Sequence, residues 1–264
     1  MSERCRYFFD VRAFDCGLWV GSDNEEVRDL LDRFVLPGMR RSDVPADATD
    51  VRMAVLSSPG GFNIVVNGSR VVEAATAADA VLAAVKALDD LLVRKLRALR
   101  AVHAGAVVLE GKALVIPGSS HAGKSSLVAE LLRRGATHLS DEYALVDGEG
   151  RVHAYPRPLL LRDGNPRQRM VLPEEMNASF AIKPVSVGWI VAVDYDPAAK
   201  WDLHPISQGE AVMVLLRNTP HEMGQSPEII ASFTRCAARA KCFAGTRGDV
   251  VDAAQRMLEL VSDE

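Results

Sequence analysis

Cysteine is scarce in this chain, with four in 264 residues, and aromatic side chains make up only 6%. Cys5, Cys16, Cys236 and Cys242 lack the close pairing that a metal or dithiol redox site needs, so they read as reduced, mostly buried thiols without chemistry of their own. No apolar run approaches the ~18 residues of a membrane helix, and residues 1–10 carry no extended apolar core of the signal-peptide kind. These absences predict a cytoplasmic protein without a membrane partner. Excess positive charge is lacking too. A formal net charge of −4 leaves no electrostatic footprint for nucleic acid, which is therefore not expected as a partner. Internal repeats and low-complexity linkers are absent as well, while 48% hydrophobic and 25% charged residues are an ordinary globular balance.

Residues 1–100 read as a separate α+β unit. Residues 51–56 alternate at strand period, and residues 62–66 meet residues 70–73 across Asn67-Gly68, a dipeptide that suits both left-handed positions of a tight hairpin. Ser22 or Asp23 is placed to cap a helix running to about Phe34. Thr76 with Asp79 resembles a capping box opening a long helix over 77–99, with Val81, Val85, Leu88, Leu92 and Leu96 on one face.

The strongest signal lies in residues 101–264. Residues 118–125 read Gly118-Ser119-Ser120-His121-Ala122-Gly123-Lys124-Ser125, a complete G-x-x-x-x-G-K-[ST] phosphate loop. Its context is correct: residues 112–117 form an apolar run of strand length, and residues 126–134 carry apolar positions at helical spacing before Gly135. Glycines let backbone N–H groups converge on a phosphate, Lys124 adds a mobile positive charge, and the Ser125 hydroxyl suits Mg²⁺. Residues 118–126, Ser126 included, are thus the expected ATP-binding segment, with Mg²⁺ as cofactor.

Upstream, residues 102–109 and the turn Glu110-Gly111 form a hairpin feeding the loop-bearing strand. Downstream, residues 137–140 read as a buried strand ending at Asp141-Glu142, and a second hairpin turns at residues 147–150. Acids at such a strand end fall near the carboxyl edge of an open α/β sheet, where phosphates and metals bind. Residues 187–193 read as a central strand. Ser207 with Glu210, Ser226-Pro227 and Asp249 open three further helices. Arg157 and Arg162 carry forks suited to anions, although solvated arginine is the preferred reading for both.

Taken together, His103 in the hairpin, the loop at 118–125, the helix ending Leu131-Leu132-Arg133-Arg134-Gly135 and the paired-acid strand at 139–142 resemble kinases of the HPr kinase/phosphorylase family. The resemblance is firm over 102–150, fainter beyond, and absent over the first hundred residues. It implies a P-loop fold of HPr-kinase and phosphoenolpyruvate-carboxykinase type that moves the γ-phosphate of ATP onto a serine hydroxyl. Asp141 would then be the base and Glu142 would lie near the metal with Ser125. His103 would orient Asp141 or touch the transferring phosphate, and Lys124 would hold the phosphates. Where the family has its Glu-x-Arg-Gly signature this chain has residues 156–164, which points away from HPr as substrate and from the reverse phosphorylase reaction. A branch that tailors ribosomally made peptides, including lasso-peptide precursors, is the closer analogue.

The expected acceptor is thus a hydroxyl on a peptide or protein, with the α+β unit at 1–100 helping to present it or serving only as a cover. A small-molecule hydroxyl kinase and a nucleotide-binding regulatory or scaffold protein are the alternatives. The sequence does not fix the oligomeric state.

Overall fold

The computed structural model describes residues 4–35, 38–42, 50–119, 122–162, 168–224 and 226–262. The fold is mixed α/β, in two compact units, Met1–Arg97 and Ala98–Glu264.

The first unit holds β1 (Tyr7–Ala13), β2 (Cys16–Ser22), α1 (Glu25–Val35), β3 (Arg40–Ser42), β4 (Val51–Ser58), β5 (Gly61–Val66), β6 (Ser69–Ala74) and α2 (Ala77–Lys95). Its sheet runs in the order β3-β1-β2-β4-β5-β6. The β2–β4 pair is parallel, because α1 and β3 intervene, and the other pairs are antiparallel. Asn67 and Gly68 both take positive φ, 48° and 88°, so the β5–β6 turn has the twist the flanking strands need.

Two helix ends differ from the sequence reading. α1 is capped by Asn24, whose Oδ1 accepts from the Val27 N–H at 3.1 Å, and not by Ser22 or Asp23. Those two side chains are engaged by β4: the Ser22 hydroxyl donates to the Val55 carbonyl at 2.8 Å and the Asp23 carboxylate accepts from the Ser57 N–H at 2.8 Å. α2 starts where Thr76 caps it through the Asp79 N–H, but it stops at Lys95, because Leu96 is already extended at ψ 131°.

The second unit holds β7 (Arg100–Leu109), β8 (Lys112–Pro117), α3 (Lys124–Arg133), β9 (Thr137–Ser140), β10 (Tyr143–Val146), β11 (Arg151–His153), β12 (Leu159–Leu161), β13 (Arg169–Val171), β14 (Val185–Tyr195), β15 (Asp202–Pro205), α4 (Gln208–Arg217), α5 (Pro227–Ala238), β16 (Lys241–Arg247) and α6 (Val250–Ser262). The main sheet runs β11-β10-β7-β8-β14-β16-β15, with β9 also on β7, and β11 returns to pair with the start of β14. β8, β14 and β16 are mutually parallel.

Both faces of this sheet are covered, which is why β8 and β14 read as near-continuous apolar runs. Leu114, Ile116, Trp189 and Val191 pack with Leu127, Leu131 and Met257 of α3 and α6. Their alternates Ala113, Val115 and Ile190 pack with Leu215 and Phe233 of α4 and α5. Gly105 lets α3 approach β7 closely, since a Cβ there would lie 2.6 Å from Val128 Cγ2. The four cysteines are free thiols, three of them buried. Among the described residues no helix is long and apolar enough to cross a membrane.

Candidate functional site

Three parallel strands end on one edge of the second unit, and the groups of interest sit at those ends. β8 delivers Gly118, β14 delivers Tyr195, and β16 delivers Arg247, which stands opposite Tyr195 in the β14–β16 register. β9 is antiparallel to β7, which is antiparallel to β8, so Asp141 and Glu142 follow β9 onto the same edge.

Backbone hydrogen bonds hold the described residues of the loop after β8. The Gly118 N–H donates to the His103 carbonyl at 3.3 Å and the Ala122 N–H to the Ser119 carbonyl at 3.3 Å. Gly123 takes the left-handed conformation at φ 70° and turns the chain into α3, a ten-residue helix with no side-chain cap and no acid in its first turn. Such a terminus leaves N–H groups and the positive end of the helix dipole available to an anion. Ser126 is exposed at the start of α3, while Ser120 and His121 lie outside the described residues.

Lys124 is buried, and its Nζ donates to the Gly118 and Ser119 carbonyls at 2.9 and 2.8 Å. Burial pushes its ammonium pKa down, and the nearby Glu142 and Asp141 carboxylates oppose that shift.

Asp141 is 3% exposed. Burial raises its pKa to about 6, against hydrogen bonds from the Ser125 hydroxyl and the Leu160 N–H and the charge of Lys124. Its Oδ1 is buried without a hydrogen-bond partner among the described residues. That spare oxygen is placed to accept a proton, while the Ser125 hydroxyl beside it suits Mg²⁺, a hard cation that takes few protein ligands and completes its shell with phosphate oxygens and water. Ser125, with the Glu142 carboxylate near Lys124 on the same edge, thus fits such an ion. Among the described residues there is no cluster of three or more acids, histidines and cysteines able to hold a metal unaided.

Compared with models of known protein families the chain matches none, and no curated protein matches it.

His103 and Glu142 form a second pair. His103 Nε2 lies 3.1 Å from Glu142 Oε1, and the imidazole also packs near the Tyr143 ring, with centroids 5.9 Å apart. The expectation that His103 orients Asp141 is therefore corrected. β7 and β10 pair His103 with Tyr143, which leaves the neighbouring Glu142 as the acid within reach. The preferred solvated reading of Arg157 is corrected as well: it is 1% exposed and stacks over Tyr155, 5.7 Å from the ring centre. Arg162 is exposed.

Arg247 was not singled out from the sequence. It is 2% exposed, its Nη2 donates to the Ala122 and Gly123 carbonyls at 3.2 and 2.9 Å, and its Nη1 donates to the Gly248 carbonyl at 3.1 Å. The available signal was local: residues 241–247 form a short β-like run between two helices, closed by Gly248-Asp249, and the last residue of such a strand faces a ligand edge.

Proposed function

We propose that the chain is an ATP-dependent phosphotransferase that moves the γ-phosphate to a serine-type hydroxyl of a peptide or protein, in the manner of the HPr kinase-like family that residues 102–150 resemble. One observation carries the reading: Lys124, Ser125 and a buried Asp141 with a spare oxygen converge on an uncapped helix terminus at the carboxyl edge of parallel strands. Phosphoryl transfer asks the protein mainly for positioning and charge neutralisation, and these are the groups that supply both.

In this reading the Gly123 and Lys124 N–H groups and the Lys124 ammonium hold the phosphates. Ser125, with Glu142 nearby, would hold Mg²⁺, which would supply charge neutralisation on the phosphate oxygens. The acceptor oxygen forms a bond to the γ-phosphorus as the bond to the β–γ bridging oxygen breaks, ADP leaves, and the hydroxyl proton passes to Asp141 Oδ1. A pKa near 6 suits a base working at neutral pH, and removing such a base costs about 10²–10⁴-fold in rate. Glu142 stands at the loop with His103 as its positioning group.

The test is ADP release by the full chain with a panel of serine-containing peptides, proteins and hydroxyl metabolites, run beside Asp141→Asn. The reading expects turnover with a peptide or protein acceptor. It also expects Asp141→Asn to keep Mg²⁺-ATP affinity while losing at least about a hundredfold in kcat. Turnover confined to hydroxyl metabolites would make the chain a small-molecule kinase. Nucleotide binding without turnover across the panel would make it a regulatory protein and overturn the kinase assignment.

A further inference from the structure

Arg247 is a cation in a place that ordinarily disfavours one. It is 98% buried, being 2% exposed, and it lies beside the N-terminus of α3, where the helix dipole repels positive charge. Among the described residues no carboxylate forms an ion pair with it, and its Nε is buried with no hydrogen-bond partner. Burial drives its pKa down, with Tyr195 and Asp249 working against that shift. Its guanidinium carbon sits 4.9 Å from the Tyr195 ring centre, so one face is closed by an aromatic ring. A buried charge with so little compensation costs stability unless an anion completes it.

The geometry of its hydrogen bonds says what it does. In a trans peptide the C=O and the following N–H point in opposite directions. By holding the Ala122 and Gly123 carbonyls at 3.2 and 2.9 Å, Arg247 turns the Gly123 and Lys124 N–H groups away from itself. The fit leaves no room for a side chain at Gly123, where a Cβ would lie 2.2 Å from Nη2. This locking of the loop comes from a strand more than a hundred residues downstream, 124 positions from Gly123.

We propose that Arg247 is the positioning residue of the phosphate loop: it aims the Gly123 and Lys124 N–H groups at a bound triphosphate, whose negative charge in turn compensates the buried guanidinium. The inference rests on the phosphate-site reading above but not on the identity of the nucleotide or the acceptor. A purely structural arginine would lower stability when replaced and leave anion affinity alone. A positioning arginine lowers polyphosphate affinity in variants whose melting temperature stays close to wild type.

The experiment is calorimetric titration of the full chain, wild type, Arg247→Lys and Arg247→Gln, with Mg²⁺-ATP and separately with inorganic tripolyphosphate. Thermal melting is recorded in parallel. Arg247→Gln is expected to weaken both ligands by about tenfold or more, from the loss of charge-assisted hydrogen bonds. Arg247→Lys, which keeps the charge but not the fork, should fall between. If Arg247→Gln does not fold, Arg247→Lys decides, with a threefold or larger loss expected. Wild-type affinity for both ligands in a folded variant overturns the proposal. Tripolyphosphate binding that depends on Arg247 without ATP binding would overturn the nucleotide reading and keep this one, whereas no binding of either ligand to the wild type would overturn both.

Discussion

The two acids after β9 have different neighbours, and these separate their roles. Asp141 is held by the Ser125 hydroxyl and the Leu160 N–H, while Glu142 is held by His103. Glu142→Gln is therefore expected to cost less than Asp141→Asn in kcat, roughly tenfold against a hundredfold or more, and His103→Ala should resemble Glu142→Gln. Steady-state kinetics on the three variants checks the order, and equal losses for the two acids would remove the distinction.

A second residue-scale prediction concerns His138, fully buried with neither ring nitrogen partnered among the described residues. Burial lowers its pKa from 6.5 to about 4. Its contribution to stability is intact above pH 6.5 and is lost as pH falls toward 4, by roughly 3 kcal/mol in all, because the unfolded chain takes up a proton that the fold refuses. Asp141, raised to about 6, works in the opposite sense: it favours the fold at low pH and loses that advantage as pH rises from about 4 to 6. The two slopes oppose each other in the wild type, so the readout is the difference made by His138→Leu. The variant should gain stability relative to wild type between pH 7 and pH 5 in denaturant titrations. A difference independent of pH would contradict the account.

At the scale of elements, the site depends on α3 lying tightly against β7. Gly105→Ala would place a methyl 2.6 Å from Val128 Cγ2, so the helix must move or the valine repack. A loss of about 1–3 kcal/mol is expected, partly recovered by adding Val128→Ala. Simple additivity of the two changes in chemical denaturation would show that the contact is not the cause.

The elements also show what sequence could reveal. The strand and helix around the phosphate loop, the Asn67-Gly68 turn and the Thr76 cap were legible because each rests on residues within a few positions of one another. The cap of α1 was misplaced by one or two residues because β4, more than thirty positions away, engages Ser22 and Asp23. Arg157 was misjudged for a similar reason: an arginine carries no local sign that a tyrosine ring will cover it. Arg247 and the His103–Glu142 pair depend on which strands become neighbours, 124 and 39 positions apart, and single-sequence periodicity is blind to that.

At the scale of the whole molecule, the two units divide the chemistry from the remainder. The unit Met1–Arg97 has its own sheet, its own pair of helices and none of the groups assigned to phosphate or metal. On the kinase reading proposed above, acceptor choice would come from surfaces other than the loop, because a phosphate loop treats nucleoside triphosphates alike, and we propose this unit as one that would supply such a surface. β6 suits that role, being solvent-exposed along most of its length with Val71 and Val72 prominent. Polar substitutions at Val71 and Val72 that leave melting temperature and ATP affinity unchanged should raise KM for the acceptor by several-fold without lowering kcat. Unchanged acceptor kinetics would leave the unit as scaffold.

Everything in the functional account passes through the phosphate loop, so the most direct measurement is calorimetric titration of Mg²⁺-ATP into the full chain and into Lys124→Ala. The account predicts saturable binding to the wild type and a loss of at least about tenfold in the variant, because the Lys124 ammonium, held at the Gly118 and Ser119 carbonyls, is a cation positioned at the loop to meet phosphate charge. Binding of equal strength in both proteins, or no binding to the wild type, would contradict it.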